Sequence, residues 1–349
     1  MKELVLSSIQ NMQGYVSGEQ PSDTDVIKLN TNENPYDPPD SVLQALKTIN
    51  GDELKKYPPA MGDDLRSKIA ETYGLNRDGL LLGNGSDEIL TMIMRACVSL
   101  GDNVAYPDPT YVLYKTLAAI QGSHIQTIAF DEEFDLAISD IKVLEAKVFF
   151  LANPNSPSGT MICKAKVKEL AQAFNGLFVV DEAYVDFAED NCLSLVEECD
   201  NVIVLRTMSK SFSLAGIRLG WAYAQPDLIK ELAKVKDSYN VNVLTQKLAL
   251  AVLGAKTEVD ARVSEVKQTR DTLITQLQKL GWKVYSSQAN FVWARPSSPA
   301  GDWYKFFKTK KLYVRYFANL PDYLRITIGR PEDMEILIKY VNYNIEGVL

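Results

Sequence analysis

The chain has 349 residues, which suggests about two domains, and 46% hydrophobic with 23% charged residues argues against a disordered or collagen-like chain. With 37 Lys and Arg against 45 Asp and Glu the net charge is −8. That balance argues against a general nucleic-acid binder, which needs a basic excess to neutralise phosphates, but leaves room for a local basic pocket holding a small anion.

The first 28 or so residues have weak periodicity and several polar breaks, so they read as an arm. Residues 29–245 read as a large domain and 246–349 as a smaller one. The run from Thr31 to Asp40 is rich in Pro and Asn and reads as loop, with Ser41 as the N-cap of a short helix. From Asp63 onward helices and strands alternate. Helices are expected over Asp63–Tyr73, Ser86–Leu100 (stopped by Gly101), Thr110–Gln121 and Lys164–Phe174. Strands are expected over Leu80–Leu82, Asn103–Tyr106, His124–Phe130, Lys147–Ala152, Leu177–Val180 and Val202–Leu205. The last two are apolar and β-branched, as strands buried on both faces are. This alternation predicts an α/β fold with a mostly parallel sheet flanked by helices. After about residue 245 a long helix, Glu258–Leu280, leads into short strands near Lys283–Tyr285, Asn290–Ala294, Leu312–Tyr316 and Leu324–Ile328, an α+β pattern. A ligand would sit where the large-domain strand ends meet the smaller domain.

Some residue types exclude chemistry. The single histidine, His124, rules out His-rich metal sites, and in a mainly apolar strand it reads as structural. Cys97, Cys163, Cys192 and Cys199 make no C-x-x-C pair, so no zinc or redox motif is expected. No signal peptide is recognised and no apolar run approaches the ~18 residues of a membrane span, so a reduced cytoplasmic protein is expected.

Five segments carry chemistry. Thr207-Met208-Ser209-Lys210 follows a buried strand, with Arg218 eight residues after the lysine. Desolvation in such a setting makes a lysine amine nucleophilic, and the hydroxyls with Arg218 suit a phosphate. In Phe178-Val179-Val180-Asp181-Glu182-Ala183-Tyr184 three apolar residues lead into Asp181. A carboxylate there either caps a helix or needs a cationic partner, such as the protonated ring nitrogen of a pyridoxal cofactor. Gly83-Asn84-Gly85-Ser86-Asp87-Glu88, between strand and helix, suits phosphate binding by backbone N–H groups and equally an ordinary helix start. It is not G-x-G-x-x-G, so a dinucleotide site is not expected. Asn153-Pro154-Asn155-Ser156-Pro157-Ser158-Gly159 reads as a rigid turn with amide donors. In Leu324-Arg325-Ile326-Thr327-Ile328 an arginine in an apolar strand must meet an anion, from the protein or from a substrate, and Arg315 is a second candidate.

Taken in order, G-S-D-E, P-T-Y, N-P-N-S-P-S-G, D-E-A-Y, S-K with Arg at +8 and L-R-I-T-I-G resemble the fold-type I pyridoxal-phosphate aminotransferases. The opening L-N-T-N-E-N-P-Y, the K-Y-P and the closing L-R-I-T-I-G resemble the histidinol-phosphate aminotransferase family, class II, within them. The resemblance runs from about residue 27 to the C-terminus. It implies a large cofactor-binding domain with a seven-stranded sheet, a smaller C-terminal domain, a homodimer and pyridoxal 5'-phosphate as cofactor. It further implies that Lys210 holds the cofactor covalently and then moves the reacting proton, while Asp181 pairs with the ring nitrogen. Tyr184 and Asn155 would bond the ring's phenolic oxygen, and Tyr111 would stack on the ring. Gly85, Ser86, Thr207, Ser209 and Arg218 would hold the phosphate, joined by Tyr57 from the neighbouring subunit, and Asp87 would also belong to the cofactor site. Arg325, helped by Arg315, would bind the substrate anion, and Asn34 would lie near the substrate. The chain has Ser156 where many relatives have Asn. The activity implied is reversible transamination between histidinol phosphate and 2-oxoglutarate in histidine biosynthesis. An aromatic aminotransferase or a threonine-phosphate decarboxylase would use the same frame. A non-catalytic regulator would need a basic DNA-binding appendage for which there is no spare length, and a plain phosphate-binding module would not need Lys210 and Asp181 together.

Overall fold

A computed structural model of the chain describes residues 4–12, 14, 18–23 and 25–345. Parts of the expected arm and the last four residues of the expected small domain lie outside the described residues. Among the described residues twelve strands build two sheets. They are β1 (Ile27–Leu29), β2 (Leu80–Asn84), β3 (Asn103–Asp108), β4 (His124–Ala129), β5 (Val148–Ala152), β6 (Leu177–Asp181), β7 (Val202–Thr207), β8 (Leu219–Tyr223), β9 (Lys283–Val284), β10 (Phe291–Arg295), β11 (Leu312–Tyr316) and β12 (Leu324–Thr327).

The larger sheet has seven strands in the order β2-β8-β7-β6-β5-β3-β4. β8 is antiparallel to both neighbours, and the remaining pairs are parallel. The sheet is therefore mixed, with β2 running in the same direction as its parallel members. Its central strands are buried on both faces because every residue is apolar or nearly so, and alternate residues serve opposite layers. Phe150, Val179 and Ile203 pack with the Ser86–Cys97 helix on one face. Leu151, Val180 and Val204 join the core on the other face, which is continuous with that of the second sheet.

The smaller sheet, β1-β11-β12-β10-β9, is antiparallel except for β1, which lies parallel to β11. Its core is shared with a 24-residue helix, Lys256–Lys279, whose Val259, Val263, Val266, Leu273 and Leu277 recur at helical spacing as a buried stripe.

Some expected boundaries move. The helix expected from Thr110 begins at Leu113, because the Thr110 hydroxyl donates to Asn155 Oδ1 and holds the preceding residues as loop. The helix expected to run to Leu100 ends at Cys97, and Val98 is already extended. Ser41 is no N-cap: the helix begins at Asp40 after Pro39, and the Ser41 hydroxyl donates to the Ala251 carbonyl at 3.4 Å. His124 opens the edge strand β4 and is exposed. β1 and β8 were not expected. β1 has three residues, too few for a period, and β8 follows a loop of Ser and Gly that masks its start.

Candidate active site

β2, β3, β5, β6 and β7 all end at one edge of the large sheet, and β8 begins there. The loops leaving those ends carry nearly all the residues singled out above. They face a cavity of about 510 Å³, which the smaller sheet closes with Arg315, Phe317 and Arg325. That volume suits a small ligand or cofactor.

One corner is built for an anion. The Ser86–Cys97 helix points its N-terminus at the cavity, and Gly85, just before it, has φ +81°. A Cβ on Gly85 would lie 2.7 Å from Arg218 Nη2, so only glycine lets the guanidinium lie against this turn. Gly220 is equally constrained, since its Cβ would fall 2.3 Å from the Ser86 backbone nitrogen. Arg218 itself sits in the left-handed region at φ +53°, a strain of the kind found at functional positions. It reaches Ser209 Oγ at 3.5 Å and Asp87 at 3.3 Å. The Thr207 and Ser209 hydroxyls lie 2.9 Å apart beside it.

Asp181 lies at the buried side of the cavity, 4% exposed. Tyr114 donates its hydroxyl to Asp181 Oδ2 at 2.9 Å, and the Ala183 N–H donates to Oδ1 at 3.2 Å. Burial pushes the Asp181 carboxyl up to about 6, and the Tyr114 hydrogen bond is the chief opposing influence. Directly behind Asp181 and Thr207, Glu182 and Arg206 form a buried ion pair at 2.9 Å that ties the ends of β6 and β7. The Arg206 guanidinium also lies over the rings of Tyr73 and Trp221.

Lys210 lies half-buried, its Nζ 3.3 Å from the Thr31 carbonyl and 5.8 Å from the Tyr184 ring centre. Asn34 Nδ2 donates to the Lys210 and Ser211 carbonyls at 3.0 and 3.1 Å, and the Ser211 hydroxyl donates to Asp186. The loop is thus fixed on both sides of the lysine. Tyr184 lines the cavity and accepts a hydrogen bond from Asn32 Nδ2 at 3.0 Å. Tyr111 also lines it, with its hydroxyl 3.3 Å from Asp87.

At the far end Arg315 and Arg325 are direct partners across β11 and β12, so both guanidinium groups leave one face. Both lie near the Phe317 ring, at 5.2 and 5.5 Å. Arg325 donates to Ser156 Oγ at 3.0 Å and to the Asn30 carbonyl at 3.2 Å. Ser156 thus helps aim this arginine.

Four expected site residues do not line the cavity: Gly85, in the turn behind Ser86, and three that lie further back. Both Asn155 amide hydrogens are used, toward the Pro109 carbonyl at 3.1 Å and Ser158 Oγ at 3.0 Å, and its oxygen takes the Thr110 hydroxyl. Asn34 braces the Lys210 backbone from outside the lining. Tyr57 is 80% exposed, stacked on Tyr239 at 4.5 Å, and does not line the cavity of its own chain. Asn32, Tyr114 and the Glu182–Arg206 pair escaped sequence reasoning. Asn32 shares a short run with Asn34, and Tyr114 follows Tyr111 at helical spacing and resembles core. The Glu182–Arg206 partners lie on different strands.

Among the described residues no group of His, Cys, Asp and Glu could hold a metal ion, and no helix is long and apolar enough to cross a membrane. The site instead joins an amine, a buried carboxylate and two cationic corners, which suits a ligand anionic at both ends with a basic atom over Asp181.

Comparison with known proteins bears on this geometry. The family model for aminotransferase class I and II matches residues 24–341. The chain is 43% identical over 345 residues to histidinol-phosphate aminotransferase 1 of Nostoc sp. strain PCC 7120, covering 98% of each chain. It is 42% identical to the histidinol-phosphate aminotransferase of Rhodopirellula baltica, covering 94% of this chain and 92% of that one. Among solved structures, histidinol-phosphate aminotransferase from Sinorhizobium meliloti in complex with pyridoxal-5'-phosphate superposes with a TM-score of 0.89 at 23% identity, covering 99% and 98% of the two chains. L-threonine-O-3-phosphate decarboxylase from Porphyromonas gingivalis superposes with a TM-score of 0.81 at 20% identity, covering 92% and 100%. At those identities the structural likeness is one of fold.

Proposed function

We propose the following function for this chain, which belongs to the class I and II aminotransferase family and, within it, to the histidinol-phosphate aminotransferases. It transfers the amino group of histidinol phosphate to 2-oxoglutarate, reversibly, giving imidazole acetol phosphate and glutamate in histidine biosynthesis. The observation that carries this is 43% identity sustained over 98% of both chains.

Pyridoxal 5'-phosphate fits the residues present. Its phosphate matches the Arg218 corner, where a Cβ on Gly85 would crowd out the guanidinium. Its basic ring nitrogen matches a carboxylate that burial otherwise disfavours. When bound, the cofactor supplies a conjugated ring that withdraws electrons from the substrate carbon losing its proton.

The chain's residues do the rest. Asp181 would accept a hydrogen bond from the protonated ring nitrogen and keep the proton there. Lys210 Nζ would hold the cofactor between turnovers and then, as general base and acid, move the proton between the substrate's Cα and the cofactor's C4′ carbon. Tyr111, which lines the cavity, would cover the ring. Tyr184 bonds the phenolic oxygen, oriented by Asn32; Asn155, expected there too, supports the same wall through Thr110, Pro109 and Ser158. Gly85, Ser86, Thr207, Ser209 and Arg218 would bind the phosphate, with Asp87 anchoring Arg218 and Tyr111. Arg325 and Arg315 bind the anionic end of either amino donor, carboxylate in glutamate and phosphate in histidinol phosphate. Both donors therefore use one site in turn, a ping-pong sequence. Asn34 acts near the substrate by fixing the Lys210 backbone.

The assembly proposed is a homodimer in which Tyr57 of the partner subunit reaches the phosphate. Its support is that Tyr57 is exposed and outside its own cavity. The domains proposed are an arm over 1–28, a cofactor domain over 29–245 and a smaller domain from 246, with the boundary at the arm moved by β1 (Ile27–Leu29), which joins the smaller sheet through β11. A cytoplasmic location accords with four free cysteines.

The test is turnover of purified protein with histidinol phosphate, phenylalanine and phosphothreonine, each with 2-oxoglutarate. Glutamate formed chiefly from histidinol phosphate is the expected outcome. Carbon dioxide release from phosphothreonine, or preference for phenylalanine, overturns it.

A further inference from the structure

Tyr114 is 0% exposed, on the Leu113–Gln121 helix, and does not line the site cavity described above. Its ring is held on three sides. It stacks on Phe150 at 4.9 Å and 13°, meets Tyr111 in a T-shaped contact at 5.6 Å, and tilts against Tyr106 at 6.1 Å. A ring packed this way cannot swing, so its hydroxyl has a fixed direction, and that direction is Asp181 Oδ2 at 2.9 Å. The Ala183 N–H holds Oδ1. The carboxylate thus has one donor on each oxygen from behind, with lone pairs left for the cavity. Asp87 and Glu182, the nearby acidic groups, both disfavour charge on Asp181, as burial does. The Tyr114 hydroxyl works against all three.

We propose that Tyr114 is a positioning residue for the transamination chemistry: its hydroxyl keeps Asp181 ionised and aimed, so that the cofactor's ring nitrogen stays protonated. This rests on the pairing of Asp181 with that nitrogen. Tyr114 touches no reacting atom, and acts through Asp181 by its hydroxyl and through Tyr111 by its ring.

The experiment is equilibrium binding of two probes to cofactor-free protein, followed by fluorescence. One probe is pyridoxal phosphate, and the other is its analogue with carbon in place of the ring nitrogen. Tyr114→Phe keeps the ring and removes only the hydroxyl. The variant is expected to bind pyridoxal phosphate about 10-fold more weakly, the scale of a lost hydrogen bond to a charged group. For the carbon analogue, which has no N–H to pair, the change is expected within about twofold. In an Asp181→Asn background, adding Tyr114→Phe is expected to change pyridoxal phosphate affinity by less than about twofold. Equal losses for both probes, or no loss for either, overturn the proposal, because packing alone acts on both alike. If wild type itself does not distinguish the probes, the Asp181 pairing fails and the proposal fails with it. Should Tyr114→Phe not fold, Tyr114→Met, which fills the space without a donor, takes its place and is read the same way; failure of both variants to fold shows that the tyrosine serves the core and overturns the proposal.

Discussion

Asp181 is 4% exposed and holds its charge among neighbours that, Tyr114 and the Ala183 N–H apart, oppose it. Its folded-state carboxyl is pushed up to about 6 from an ordinary 3.8, burial being the first cause. A folded value above the unfolded one means that the folded chain binds the proton more tightly. The carboxyl therefore costs the cofactor-free chain stability as pH rises from about 4 through 6, and the full cost, about 3 kcal/mol, is present above that. Asp181→Asn removes the titration. Cofactor-free Asp181→Asn protein is expected to be more stable than wild type at pH 7.5, by up to about 3 kcal/mol, with the difference vanishing toward pH 4. Urea unfolding at the two pH values checks this, and a variant less stable than wild type at pH 7.5 contradicts it. The same substitution should remove activity, a trade-off expected where a charge is buried for chemistry.

At the scale of elements, the β11–β12 pair brings two arginines side by side. Like charges directly across a strand pair repel, so the arrangement is favourable only with an anion between them or nearby. Arg325→Lys keeps a charge but loses the planar fork that holds Ser156 and the Asn30 carbonyl. It should lower kcat/KM about 10–150-fold in both half-reactions, the equivalent of about 1.5–3 kcal/mol, while cofactor affinity stays as in wild type. Steady-state kinetics with each amino donor will show it, and unchanged kinetics would make Arg325 structural. Gly220→Ala acts at another junction. The new methyl would meet the Ser86 nitrogen at 2.3 Å and push the start of the Ser86–Cys97 helix. A loss of about 1–3 kcal/mol in stability is expected, the usual cost of overpacking, together with weaker cofactor binding. Thermal melting and cofactor titration read the two effects. Much of this site was legible because its residues follow apolar strands: Asp181 after Phe178–Val180, and Lys210 after Val202–Leu205. What was not legible depends on residues far apart in sequence. Nothing near Asn155 foretells that Thr110, Pro109 and Ser158 use its amide, and nothing near Tyr114 foretells its bond to a carboxylate 67 residues on.

At the scale of the molecule, alternating helices and strands announced the larger sheet, while its antiparallel strand β8 and the short β1 did not declare themselves. The homodimer with shared sites proposed above has a direct consequence. Lys210→Ala and Tyr57→Phe subunits, each impaired alone, should regain activity when mixed, because one site of a heterodimer then has both native residues. Activity no greater than that of the parent variants, with subunit exchange confirmed by mass, would count against shared sites.

The parallel pairing of β1 with β11 joins Ile27 to Leu312, about 285 residues apart. Synthesis at 5–20 residues per second separates these strands by about 15–60 s. Through that interval the nascent chain can complete the larger sheet, with its phosphate corner and Lys210, from residues already made. Asn30, Asn32, Arg315 and Arg325 come together only when the last strands emerge. On the ribosome, this chain's residues proposed for the cofactor phosphate and Lys210 can thus come together before those proposed for the substrate.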